Sequence, residues 1–313
     1  QIEKERENDF SEFVDIENLK EEMETWVYPL HFIDFETSTV ALPFHTGRKP
    51  YEQIAFQFSH HIYYEDGLIE HANEYINSTQ GEFPNFKFCE KLLDALNKDE
   101  GTIFRYATHE NTILNAIRDQ LLASSYENKE SLISFIETIS HPKNNHTNPW
   151  TVPARKSGKD TRDMVDLCEV IKKYYYNPYT YGSNSIKKVL PAVLKSSKFV
   201  ENKYSKSIGA INVSSKNFDS NHIWLAQKDG EIVSPYKMLP SLFENMTEDE
   251  IEATLSELED VSDGGAALTA YGKLQYTNMS NKEREELTKA LKRYCELDTL
   301  AMVMIFEHLK SLV

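Results

Sequence analysis

Residues His31-Phe32-Ile33-Asp34-Phe35-Glu36-Thr37 restrict this chain more than any other segment: an apolar strand pattern interrupted by two carboxylates one residue apart. Side chains alternate along a strand, so Asp34 and Glu36 share one face while Ile33 and Phe35 take the other. Acids this close repel and raise one another's pKa unless a cation or hydrogen bonds neutralise them. The pattern points either to a divalent-metal site or to an edge strand whose solvated face is acidic.

A distant segment favours the metal. Ser280-Asn281-Lys282-Glu283 reads as a capping box, and apolar residues then recur at Leu287, Leu291, Leu297, Leu300, Val303, Met304 and Leu309 with helical spacing. Tyr294 and Asp298 are therefore one turn apart on one helix face. With 50 Asp and Glu in the chain, a lone Tyr-x-x-x-Asp carries little information. Its weight comes from the pairing with the upstream Asp-x-Glu and from their order.

Between these elements, Gly101 to Ala107 reads as a strand and Thr108-His109-Glu110 as the first turn of a helix. Thr108 is the expected cap, which places Glu110 near the positive end of that helix. Glu110 is then either a third site acid or an ordinary favourable helix-start residue. At the next strand-to-helix junction Asp166 is a polar insert among Met164, Val165 and Leu167. It either lies close to the site or caps the helix that follows; the neighbouring Asp163 is left out.

These stretches, with Tyr181 to Pro191 and Asp263 to Ala267, form a succession from residue 32 to residue 302. It resembles a bacterial family catalogued as a domain of unknown function and placed in the RNase H-like, DEDD exonuclease superfamily, in its tyrosine variant. The resemblance implies an α/β fold: an RNase H-like mixed sheet with three antiparallel strands first and parallel strands after, flanked by helices. It implies a 3′-to-5′ exonuclease holding two Mg²⁺ or Mn²⁺ ions on Asp34, Glu36, Glu110 and Asp298, with Tyr294 orienting the attacking water and Asp166 as a secondary residue. Such families usually carry Asp where Glu110 stands. Arg48, Lys187 and Lys188 are candidates to contact phosphate of a DNA or RNA substrate with a free 3′ end. The alternative is a nucleic-acid-binding or scaffold module with a degenerate site. Because the chain begins at Gln1, an upstream domain of a longer protein is also expected.

The 313 residues are read as a helical lead-in, 1–30, followed by one domain, 31–313, with an α/β insertion at about 195–280. Within the domain, strands are expected over Gln53 to Tyr64 and Leu68 to Tyr75, joined at Asp66-Gly67. Helices are expected over Phe86 to Leu96 and Lys129 to Ile139, from Ile186, and from Thr247 to Leu258. A hydrophobic content of 40% suffices for a core. No apolar run approaches the ~20 residues that span a bilayer. Cys89, Cys168 and Cys295 lack disulfide or metal spacing, so a cytoplasmic location is expected. Net charge is −16, yet Thr151 to Lys216 carries 13 Lys and Arg against five Asp and Glu. Tyr174, Tyr175, Tyr176, Tyr179 and Tyr181 interleave with these cations, either as faces for stacked bases or as core.

Overall fold

The computed structural model describes residues 2–142, 162–240 and 264–313. In chain order its elements are α1 (Ile2–Glu7), β1 (Phe13–Val14), α2 (Ile16–Glu24), β2 (Leu30–Ser38), β3 (Ile54–Tyr63), β4 (Ile69–Ile76), α3 (Asn85–Leu96), β5 (Ile103–Arg105), α4 (His109–Leu122), α5 (Lys129–Ile139), β6 (Val165–Asp166), α6 (Leu167–Tyr174), β7 (Tyr175–Tyr176), α7 (Ile186–Ser196), α8 (Lys198–Tyr204), β8 (Val213–Ser214), β9 (Ala226–Lys228), β10 (Glu231–Val233), α9 (Gly264–Tyr276) and α10 (Asn281–Leu312). The expected helix over Thr247 to Leu258 lies outside the described residues.

Six strands form one mixed sheet in the order β6-β5-β2-β3-β4-β8. β2, β3 and β4 are successive antiparallel neighbours, β5 and β6 run parallel to β2 on its other side, and β8 pairs parallel with β4. The alternation in β2 assigns its residues to two cores. Phe32 packs with Phe56, Leu297, Leu300 and Met304 on the face covered by α10 and α7, whereas Ile33 and Phe35 pack with Phe58 beneath α3, α4 and α5. Both faces of the sheet are covered, which explains why β3 is buried along its whole length.

α10 holds together for the reason its sequence suggests. Ser280 accepts from the Glu283 amide while the Glu283 carboxylate accepts from the Ser280 amide, closing a reciprocal capping box. Its buried stripe then continues from Leu287 to Leu309 against β2 and β3.

Three details differ from the sequence reading. The lead-in is not one helix: Asn8 has a left-handed φ of 51° that breaks it, and Phe13–Val14 then pairs with Tyr175–Tyr176. Thr108 does not cap α4 with its side chain, because its own backbone is already helical, at φ −94° and ψ −3°. The Asp66-Gly67 turn is wider than a two-residue loop: the Tyr64 amide donates to Leu68, and Gly67 adopts a φ of 88° that favours glycine. A second hairpin forms at Asp229-Gly230, joining β9 and β10. Among the described residues no helix is long and apolar enough to cross a membrane.

Candidate metal centre

β2 delivers Asp34 and Glu36 to the face under α10, opposite Ser59 and Gln57 of β3. The first turn of α4 supplies Glu110 from beyond the end of β5, and the middle of α10 supplies Asp298. Glu36, Glu110 and Asp298 are 7%, 2% and 7% exposed, so carboxylates usually found in water are here almost dry.

Burial raises the Asp34 pKa well above the carboxylate range, reinforced by repulsion from Asp298, Glu36 and Glu110. Glu36 is raised the same way, by burial and by Asp298, with Lys187 pulling against it. Burial pushes Glu110 up to about 8. Asp298 is also raised by burial, offset by a hydrogen bond from Tyr236, by the Lys187 charge and by Tyr294. The convergence of four carboxylates that reach one another electrostatically joins residues far apart in the chain.

The residues fit a divalent cation. Among the described residues the buried Glu110 Oε2 has no hydrogen-bond partner, a need that a hard, oxygen-seeking cation would meet. Asp34 and Glu36 each offer an oxygen within 4.8 Å of one another and of the Cys295 sulfur. Cys295 donates toward the Asp34 carboxylate and main-chain oxygens at 3.7 Å each, and burial holds its thiol protonated. Oxygen donors therefore dominate, as Mg²⁺ or Mn²⁺ require.

Tyr294 borders the cluster, its ring buried and its hydroxyl accepting from Lys187 Nζ at 2.9 Å. Burial and then Asp298 raise the phenol, so it stays neutral. Lys187, at the start of α7, also lies 5.2 Å from the Tyr236 ring centroid and 5.0 Å from that of Tyr294. The remaining cations named from sequence are elsewhere. Arg48 lies 3.4 Å from the Phe83 ring centroid and pairs with Glu52, and Lys188 is exposed on α7.

Asp166 has a framework part. It accepts from the amides of Cys168, Glu169 and Ala107, and from Arg105 at 2.8 Å. It thus caps α6 and ties down Ala107, whose left-handed φ of 65° turns the chain from β5 into α4. This places Glu110. Asp163 pairs instead with His141.

The tyrosine cluster is largely structural. Tyr175 is buried and donates to Glu12, Tyr174 donates to Glu22, and Tyr179 stacks on Phe10. Tyr181 alone of the five is strongly exposed, at 85%. Three contributors escaped the sequence reading: Tyr236, whose hydroxyl donates a short hydrogen bond to Asp298; Cys295; and His109, bonded to Thr37 at 3.0 Å. His109 and Cys295 were findable as neighbours of Glu110 and Tyr294. Tyr236 arrives from the insertion, where no local pattern marks it.

No curated protein and no solved structure matches this chain. The stretch that does match a family model ends before α7, so it contains Asp34, Glu36, Glu110 and Asp166 but neither Tyr294 nor Asp298. Over residues 31–185 the chain is similar to DUF2779, a domain of unknown function.

Proposed function

We propose that this chain is a metal-dependent 3′-to-5′ exonuclease of the RNase H-like, DEDD type, acting on terminal phosphodiesters of DNA or RNA. The observation that carries the reading is that Glu36, Glu110 and Asp298 all act electrostatically on the partly buried Asp34, beside the buried Tyr294. The strand arrangement supports it: three antiparallel strands, then strands parallel to the first on its other side.

Divalent ions, when bound, supply Lewis-acid activation of water and neutralise charge on the phosphodiester. The chain's residues set up that chemistry. Asp34, Glu36, Glu110 and Asp298 would hold two Mg²⁺ or Mn²⁺ ions. Tyr236 fixes the Asp298 carboxylate by donating to it. Tyr294, neutral and held by Lys187, is a hydrogen-bond partner that orients the attacking water rather than a base. Lys187 faces the same space and favours an anionic phosphate there.

The test is incubation with 5′-labelled RNA and DNA oligonucleotides, free or blocked at the 3′ end, with Mn²⁺, Mg²⁺ or chelator. The expected result is a ladder shortening from free 3′ ends with metal. Equal cutting of blocked strands would make the chain an endonuclease. Absence of cutting with either metal would leave the scaffold reading.

A further inference from the structure

A cavity of about 560 Å³ opens between the first half of α10 and the loops that follow β4 and β8, lined by Ser78, Lys216, Asn217, Arg284, Lys289 and Lys292 among others. Four of its lining residues are cations and one, Glu285, is an acid, in a chain whose net charge is −16. The cavity lies at the metal end of the sheet. Glu36 is in register with Gln57, and Gln57 with Ile76, so one row crosses β2, β3 and β4 and reaches the loop bearing Ser78. Two strand spacings put that row's far end roughly 10 Å from Glu36.

The walls are fixed before any ligand arrives. Arg284 donates to the carbonyls of Leu274 and Ser78 at 2.9 and 3.2 Å, and Lys292 pairs with Glu74 at 2.9 Å. Asn217 donates to Glu74 and to the fully buried Glu296 at 2.7 and 2.8 Å. Lys216 and Lys289, in contrast, have no ion-pair partner among the described residues. From Arg284 to Lys292 the cations extend along about 12 Å of helix instead of converging on one point. That spread suits an extended polyanion better than a single phosphate.

We propose that this cavity is a second, polyanion-binding site that grips the phosphodiester backbone of a single nucleic-acid strand a few nucleotides from the end held at the carboxylates. The inference rests on the exonuclease reading for its substrate and on the cavity for its location. Lys216 and Lys289 supply the charge that has no ion-pair partner among the described residues, and Arg284 and Lys292 the fixed wall.

The test is fluorescence anisotropy of labelled single-stranded DNA and RNA, as short two-nucleotide and longer twenty-nucleotide strands, against wild type and the Lys216→Gln/Lys289→Gln double variant. Chelator is present so that nothing is cut, and thermal unfolding confirms an intact fold. The variant should bind the longer strand about ten-fold more weakly while the short strand is unaffected. The slope of log affinity against log salt should fall by roughly 1.4, at ~0.7 for each lost cation on a single strand. Loss with DNA, RNA or both supports the site and identifies the strand it accepts. Unchanged affinity and slope would overturn it, as would displacement of the longer strand by low inorganic phosphate, which would make the cavity a small-anion site. Wild-type cleavage in Mn²⁺ separates the two claims. Length-dependent binding lost in the variant, with no cleavage by wild type, keeps the cavity and rejects the nuclease; cleavage with unaltered binding does the reverse.

Discussion

The carboxyls of Asp34, Glu36, Glu110 and Asp298 and the imidazoles of His31, His60, His61 and His71 are packed against the same strands, yet the acids repel one another whereas each imidazole bonds at least one neighbouring side chain. His31 bonds His60 at 2.9 Å and Asp99 at 2.8 Å, and His60 also meets Asn73. His61 bonds Thr299 at 2.7 Å, and His71 joins Ser59 and the buried Glu296 at 3.1 and 3.0 Å. Burial lowers His31, His60 and His61, which keeps these rings neutral. The carboxyls repel one another, with Tyr236 and Tyr294 donating to Asp298 and Cys295 toward Asp34 to offset it, and among the described residues Glu110 Oε2 has no hydrogen-bond partner. A buried polar group with a partner serves the fold, whereas like charges held together mark a candidate ligand site.

The largest effect should come from removing one charge of the repelling set. Asp34→Asn should slow metal-dependent cleavage by roughly a thousand-fold or more, since it disables an interaction needed only for chemistry. Relief of repulsion should leave the metal-free melting temperature equal or higher. Undiminished turnover in this variant removes the core of the mechanism.

The histidine layer should respond in the opposite sense. His71→Ala leaves the buried Glu296 carboxylate without its imidazole partner, at a cost of about 1–3 kcal/mol in denaturant unfolding. Cleavage per folded molecule should hardly move. A stable His71→Ala protein with lost activity would erase the distinction between the layers.

Tyr294 borders the carboxyls, and Tyr294→Phe keeps the ring while deleting one hydroxyl. Single-turnover cleavage at saturating Mn²⁺ should slow roughly ten- to a thousand-fold with metal affinity unchanged. Equal rates would make Tyr294 core only, and a matching loss of metal affinity would make it a support for the ligands.

A smaller effect sharpens the electrostatic half of the comparison. Glu110 rises from 4.5 to about 8 on folding, and Asp34 and Glu36 rise with it. At these carboxyls the metal-free folded state thus binds more protons than the unfolded chain, so their contribution to stability is greatest below the unfolded values near 4 and declines as pH rises through about 8, while the lowered histidines contribute with the opposite sign below their ordinary value of 6.5. Saturating Mn²⁺ should flatten that decline. Thermal melts from pH 5 to 9 with and without metal check it, and identical slopes would contradict the repulsion.

Much of this was legible because it is periodic. Alternation placed Asp34 and Glu36 on one face, 3.6-residue spacing placed Tyr294 and Asp298 on another, and the capping box marked where α10 starts. What stayed hidden depends on contacts between distant segments. Nothing near Tyr236 signals that its hydroxyl reaches Asp298, 62 residues away. Lys187 and Arg48 look alike in sequence, yet one faces the carboxylates and the other stacks on Phe83. Asp166 had two readings, and its four hydrogen bonds to Arg105 and the three amides give it to the framework. The two-residue edge strand Val213–Ser214 was too short to carry any pattern.

Isothermal titration of the metal-free protein with Mn²⁺, run beside Asp34→Asn, tests most directly the claim that the four carboxyls are a metal centre. The account predicts saturable binding approaching two ions per chain, proton release as the raised carboxyls ionise, and loss of at least one site in the variant. No saturable heat at millimolar Mn²⁺, or identical isotherms for the two proteins, would contradict it.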